Sequence, residues 1–194
     1  QPLPLKGFDK EIRENVFNTL KLRGINVCES TTPESLKEDG KGNIDLTLSS
    51  GKTINTEVVM FATGRAPNTT RPDIGLKNAG VELDSAGAIK VDKYSRTNIP
   101  SIYAVGDVTN RINLTPVALM EGMAFVETVV RGNDKEPDYE NVPCAVFCQP
   151  PVACIGLTEE QAIAEGRTCD IYTSSFTPMK LTLAGRTEKA FMKL

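Results

Sequence analysis

Histidine is absent from this 194-residue chain, and so is tryptophan. Five cysteines, at positions 28, 144, 148, 154 and 169, form no second close pair that could join Cys144 and Cys148. With no imidazole to complete a ligand set, a zinc site is not expected. An odd, loosely spaced set of thiols fits a reducing compartment better than a disulfide framework. Cys144 and Cys148 stand four residues apart, would share one face of a strand, and read as small buried hydrophobes. No G-x-G-x-x-G occurs, so the chain lacks the Gly-rich turn whose amides grip a dinucleotide pyrophosphate. The longest apolar run, residues 58–62, is far too short to span a bilayer, and no membrane partner is expected. The net charge is −3 with Lys and Arg scattered, which gives no basic field for nucleic acid. There are no internal repeats and no low-complexity segments.

What is present alternates between helical and extended patterns, as in an α/β chain with an α+β C-terminal part. Asp9 is placed to cap a helix over about 10–23, with Ile12, Val16, Phe17 and Leu20 on its apolar side and Arg23-Gly24 as its stop. A strand is expected at 25–28, then a polar stretch over 29–43. Residues 44–48 alternate like a half-exposed strand, and a hairpin turn at 49–52 leads to the next one. Residues 58–62 read as a buried strand of the parallel kind. A crossover loop at 64–68 follows, carrying Gly64 and Pro67. Short strands are expected at 81–83 and 88–91, around a turn at 85–87.

A long helix is expected over 115–131, with Pro116 at its first position, Gly132 past its end, and most of its surface buried. Val117, Met120, Ala124 and Val130 supply its apolar face. Residues 133–141 read as a polar linker. Beyond it come strands at 145–147 and 152–155. A capping box at Thr158 and Gln161 opens a helix to about 165, closed by Gly166. Strands near 169–176 and 189–194 complete the pattern.

The most informative stretch is 102–118. A short apolar strand (Ile102, Tyr103, Val105) runs into a turn at Gly106, an acid follows at Asp107, and a helix starts at Thr115-Pro116. Taken singly, the first feature is a turn and the second a helix cap. Together, a carboxylate at a strand's C-terminal end and a helix N-terminus close behind it match how open α/β sheets hold nucleotide cofactors. The acid can accept hydrogen bonds from sugar or ribityl hydroxyls, and the helix amides can donate to an electron-rich ring oxygen.

These residues, with Ala62, Thr63, Gly64, Arg65, Ala66, Pro67 and Asn68, resemble the two late signatures of the flavin-dependent pyridine nucleotide–disulfide reductases. The resemblance covers the whole chain and is strongest over 57–125 and 140–158. In detail it is similar to the plant-type glutathione reductases. It implies FAD and NADPH as cofactors, glutathione disulfide as the substrate, and a homodimer built through residues from about 140 onward. It also implies the C-terminal part of an NADPH-binding domain over 1–62, the C-terminal part of an FAD-binding domain over 63–136, and a dimerisation domain over 137–194.

Residue by residue, the resemblance assigns Asp107 to the ribityl chain and the Thr115 amide to the flavin ring edge. Gly64 and Leu114 fall on the nicotinamide side, and the Ala145 backbone on the nicotinamide itself. Arg65 either touches a cofactor or braces the crossover. The family's redox cysteine pair, catalytic histidine and pyrophosphate fingerprint are not among these residues. The chain is therefore expected to be an internal piece, inactive by itself, of a protein more than twice its length. The alternative is a non-catalytic relative serving as a dimerisation or interaction module. Animal glutathione reductases place a glutathione-contacting Arg just after the helix glycine, where this chain has Met123. Loop details at Ala66, Pro67 and Asn68 and at Cys144 and Cys148 are more similar to the cytosolic plant isoform than to the plastid one.

Overall fold

The computed structural model describes residues 3–71 and 74–194; Gln1 and Pro2, which open the sequence, lie outside this description. The chain mixes helices and strands and divides into two compact units. One unit joins Gln1–Phe61 with Pro143–Leu194, and the other is Ala62–Val142.

Helix α1 spans Lys10–Leu22. The Asp9 carboxylate caps it by accepting from the Glu11 amide. At its end Gly24 takes a positive φ of 81°, and the amides of Gly24 and Ile25 return to the carbonyls of Lys21 and Leu20. Val16 and Phe17 are buried, as the apolar spacing predicts. Strands β1 (Pro33–Glu38), β2 (Ile44–Leu48) and β3 (Thr53–Thr56) form an antiparallel sheet in that order. The β2–β3 turn closes where the Leu48 amide donates to the Lys52 carbonyl and the Gly51 amide to the Leu48 carbonyl.

Strand β1 lies inside the stretch expected to be merely polar. Every residue in it is exposed, so no apolar period marks it; its ladder to β2, with Leu36 opposite Leu46, holds it. Conversely, 25–28 and 58–62 are not strands. Met60 is 83 % exposed, with Val58 and Phe61 also open. A parallel strand is stable only when neighbours take its N–H and C=O groups and cover both faces. No strand pairs with either segment among the described residues.

In the unit 62–142, helix α2 (Leu76–Ala79) is a single turn between Gly75 and Gly80, both left-handed. The core is Val81, Ile89 and Ala104, against which Leu83, Ile102 and Val108 pack. The strands expected at 81–83, 88–91 and 101–105 are reduced to bridges between Leu83 and Ile89 and between Arg96 and Tyr103. Side-chain turns compete for the backbone there. The Asp84 carboxylate accepts from the amides of Ala86 and Ala88, and that of Asp92 from Tyr94 and Arg96.

A single 3₁₀ turn covers Gly106–Thr109, and helix α3 covers Thr115–Phe125, continuing as a π-helical turn over Val126–Val130. Val117 and Ala124 are buried, but Leu119, Met123 and Val130 are open, so α3 is covered on one side rather than mostly buried. Residues 133–141 do not behave as a free linker. Thr128 exchanges hydrogen bonds with Lys135, Glu136 pairs with Lys93, and Pro137 is buried.

The last segment begins with β4 (Cys144–Val146) and β5 (Val152–Cys154), an antiparallel pair. Because β4 ends at Val146, Cys148 lies beyond it, and both Cys144 and Cys148 are half-buried rather than buried. Helix α4 (Glu159–Ala164) carries the complete capping box between Thr158 and Gln161. Strands β6 (Thr173–Phe176) and β7 (Ala190–Lys193) pair antiparallel across helix α5 (Met179–Leu183), which the sequence pattern did not indicate. Lys193 ends this unit's polar centre: its ammonium lies 3.0 Å from Asp9, 2.6 Å from Glu11 and 2.5 Å from Glu159.

Candidate functional site

The Gly106–Asp107 turn is set by two constraints. Gly106 takes φ 74°, a left-handed conformation, and a Cβ there would stand 3.2 Å from the Ala118 Cβ on α3. Glycine satisfies both at once. Its amide donates to the Glu121 carboxylate at 2.5 Å. Thr109 closes the turn by donating its hydroxyl to the Gly106 carbonyl at 2.8 Å. Asp107 itself is exposed, and its carboxylate makes no hydrogen bond or ion pair among the described residues.

Glu121 is the hub beneath this turn. It is only 1 % exposed and accepts from three sides: the Gly106 amide, the Tyr139 hydroxyl at 2.8 Å and the Arg111 guanidinium at 3.0 Å. Arg111 also donates to Thr109 and Ser95, both at 3.2 Å, and lies over the Tyr139 ring. Burial, then the hydrogen bond to Glu121, push the Tyr139 hydroxyl well above its ordinary pKa, so it stays a donor. A buried charge needs such partners to be tolerated. The network joins Ser95, the 106–109 turn, α3 and the 133–141 segment into one scaffold under Asp107.

Helix α3 starts one residue earlier in its capping pattern than its sequence implies. Leu114 occupies the N-cap position, in extended conformation and with no capping side chain, so Thr115 is the first helical residue and Pro116 the second. Thr115 is exposed and is not a side-chain cap. The first amides of a helix have no intrahelical acceptor, and the dipole adds positive potential there. Asp107 and the start of α3 therefore belong to one small region, tied by Glu121 and the Gly106–Ala118 approach. Gly64, with φ 118°, and Arg65 are exposed in the loop of the same unit and make no hydrogen bond or ion pair among the described residues. Ala145 lies in the other unit, on β4, exposed and opposite Ala153.

Sequence reasoning missed Glu121, Arg111 and Tyr139. The available signal was Glu121 itself, which falls between Val117 and Ala124 on the buried stripe of α3. An acid on that stripe requires buried partners. Among the described residues no cluster of His, Cys, Asp and Glu could hold a metal ion, and no helix is long and apolar enough to cross a membrane.

Comparison with known proteins gives consistent matches. Residues 1–122 match the pyridine nucleotide-disulphide oxidoreductase family, and residues 142–194 match that family's dimerisation domain. The chain is 46 % identical over 190 residues to the chloroplastic/mitochondrial glutathione reductase of Pisum sativum, covering 98 % of this chain and 34 % of the relative. It is 48 % identical over 190 residues to the glutathione reductase of Burkholderia cepacia, with 98 % and 42 % covered. To the trypanothione reductase of Trypanosoma congolense it is 40 % identical over 188 residues, with 97 % and 38 % covered. The chain thus spans less than half the length of these curated relatives.

Among solved structures, the HOCl-induced flavoprotein disulfide reductase RclA from Escherichia coli superimposes with a TM-score of 0.82 at 24 % identity, over 98 % of this chain and 45 % of that one. A Cu(II) complex of the same protein gives 0.81 at 26 % identity, over 97 % and 43 %.

Proposed function

Since the chain belongs to the pyridine nucleotide–disulphide oxidoreductase family, we propose that the whole protein is an FAD- and NADPH-dependent disulfide reductase acting on glutathione disulfide. The observation that carries this reading is the exposed Asp107 carboxylate, on a turn fixed from below by Glu121 and adjoining the start of α3. The donor set fits a flavin: an acceptor for ribityl hydroxyls, a glycine where the backbone must pack closely, and helix amides for an electron-rich ring edge. When bound, FAD supplies the redox chemistry, taking a hydride from NADPH and passing its electrons to a disulfide.

This chain's residues bind and orient. Asp107 accepts from the ribityl hydroxyls, and the Thr115 amide donates where negative charge gathers on reduction, aided by the α3 dipole. Gly64 and Leu114 line the nicotinamide side. Arg65 touches a cofactor or braces the 64–68 loop, and the Ala145 backbone faces the nicotinamide. In this reading 1–62 is the C-terminal part of the NADPH-binding domain and 63–136 that of the FAD-binding domain. Residues 137–194 form the dimerisation domain of a homodimer. The five free cysteines favour a reducing compartment, the cytoplasm, with the plastid as the alternative.

Glutathione is favoured over trypanothione as the substrate. Two relatives named glutathione reductase, at 46 % and 48 % identity, stand above two trypanothione reductases at 40 % and 39 %, and a third glutathione reductase, at 38 %, stands level with them. Met123 is exposed and offers no Arg to the substrate, so glutathione contacts fall on other residues of the whole protein. NADPH oxidation by the purified whole protein, with each disulfide in turn, tests the choice. Faster turnover with glutathione disulfide is expected; a preference for trypanothione disulfide, or no NADPH oxidation with either, overturns it.

A further inference from the structure

Cys144 and Cys154 face each other across the β4–β5 hairpin, at the end away from its connecting loop. Directly opposed residues in an antiparallel ladder have Cα atoms about 4.5–5.5 Å apart. That separation lies inside the range of about 4.4–6.8 Å that a disulfide spans. Opposed side chains leave the ladder on the same face, so the two thiols are cross-strand neighbours. Cys154 is exposed, Cys144 is half-buried, and both are free thiols. Cys148 is engaged elsewhere, donating to the Pro150 carbonyl at 3.0 Å.

We propose that Cys144 and Cys154 are a reversible dithiol site that is oxidised to a cross-strand disulfide by low-molecular-weight disulfides. The thiolate of one cysteine attacks a sulfur of the small disulfide, forming a mixed disulfide and releasing one small thiolate. The second cysteine, as thiolate, attacks the protein sulfur of that mixed disulfide and releases the other. Two protein thiols are oxidised, one small disulfide is reduced to two thiols, and the two cysteine protons end on the released thiolates. Burial, with the neighbouring Cys144, pushes the Cys154 thiol up, so its thiolate is scarce at neutral pH and closure speeds up as pH rises. The bond fixes the open end of the hairpin, next to Ala145.

The test exposes the protein to 2-hydroxyethyl disulfide without NADPH, blocks remaining thiols by alkylation, and maps peptides after chymotryptic cleavage at Phe147, which separates Cys144 from Cys154. The expected result is a Cys144–Cys154 cross-link that dithiothreitol reverses and that forms about tenfold faster per pH unit below the thiol pKa. It persists in Cys148→Ser, whereas Cys154→Ser leaves Cys144 as a mixed disulfide. Alkylation of both thiols, mixed disulfides at both without a cross-link, or a link to Cys148 would each overturn the proposal.

Discussion

Glu121 accepts from a backbone amide, a phenol and a guanidinium in a space closed to water, so its removal leaves three donors without their acceptor. Glu121→Ala is expected to destabilise the protein by about 3–5 kcal/mol, the range for breaking a buried ion pair from one side. Glu121→Gln keeps an acceptor for Gly106 and should cost less, about 1–3 kcal/mol. Urea denaturation midpoints check the order; equal midpoints for Glu121→Ala and the wild type would contradict the hub role. Gly106→Ala adds a left-handed penalty of about 1–2 kcal/mol to the close approach to Ala118. Adding Ala118→Gly should recover only the second part, which the same denaturation series resolves. At this scale the turn at Gly106 was legible in the sequence, because an apolar run, a turn glycine and an acid in that order have local meaning. Arg111 and Tyr139 were not legible, since their roles come from three-dimensional convergence on Glu121.

At the scale of elements, caps were read well and strand pairing poorly. Asp9 for α1 and the Thr158–Gln161 box for α4 satisfy donors within a few residues, so local sequence suffices. Strands depend on partners far along the chain: exposed β1 forms because β2 is beside it, and apolar 58–62 has no such neighbour among the described residues. The ends of α1, α4 and β7 meet at Lys193, and this cluster carries a pH signature.

Burial alone would raise the Asp9 carboxyl, but its bonds to Lys193 and the Glu159 amide outweigh that and hold it below the ordinary value. Its contribution to stability is therefore present at neutral pH and lost as pH falls through the depressed folded value. Burial alone would lower the Lys193 ammonium, but bonds to Glu11, Glu159 and Asp9 raise it above the ordinary value. That contribution is complete below the ordinary lysine value and is lost as pH rises through the raised one. Urea midpoints of Lys193→Met across the range from about pH 3 to about pH 11 should show a smaller loss at both limbs than the wild type. Parallel curves would contradict the assignment.

At the scale of the whole molecule, the family match places a dimerisation domain over 142–194. Obligate interfaces commonly bury more than about 2,000 Å² and are apolar at their centre. Phe147, 93 % exposed in the single chain, and Ile155, also open, are suited to such a surface. Phe147→Glu in the whole protein is expected to shift sedimentation toward the monomer while the fold persists. An unshifted dimer would contradict the dimer surface proposed here.

The flavin contact proposed for Asp107 is read out by FAD release from the whole protein and its Asp107→Ala variant, followed by flavin fluorescence during dialysis. The Asp107 side chain is exposed and makes no hydrogen bond or ion pair among the described residues, so the unfolding free energy of the flavin-free protein should stay within about 0.5 kcal/mol of the wild type. Flavin affinity should fall by about 1–3 kcal/mol, as bound hydroxyls lose a charged acceptor. Unchanged flavin affinity in the folded variant would contradict the account.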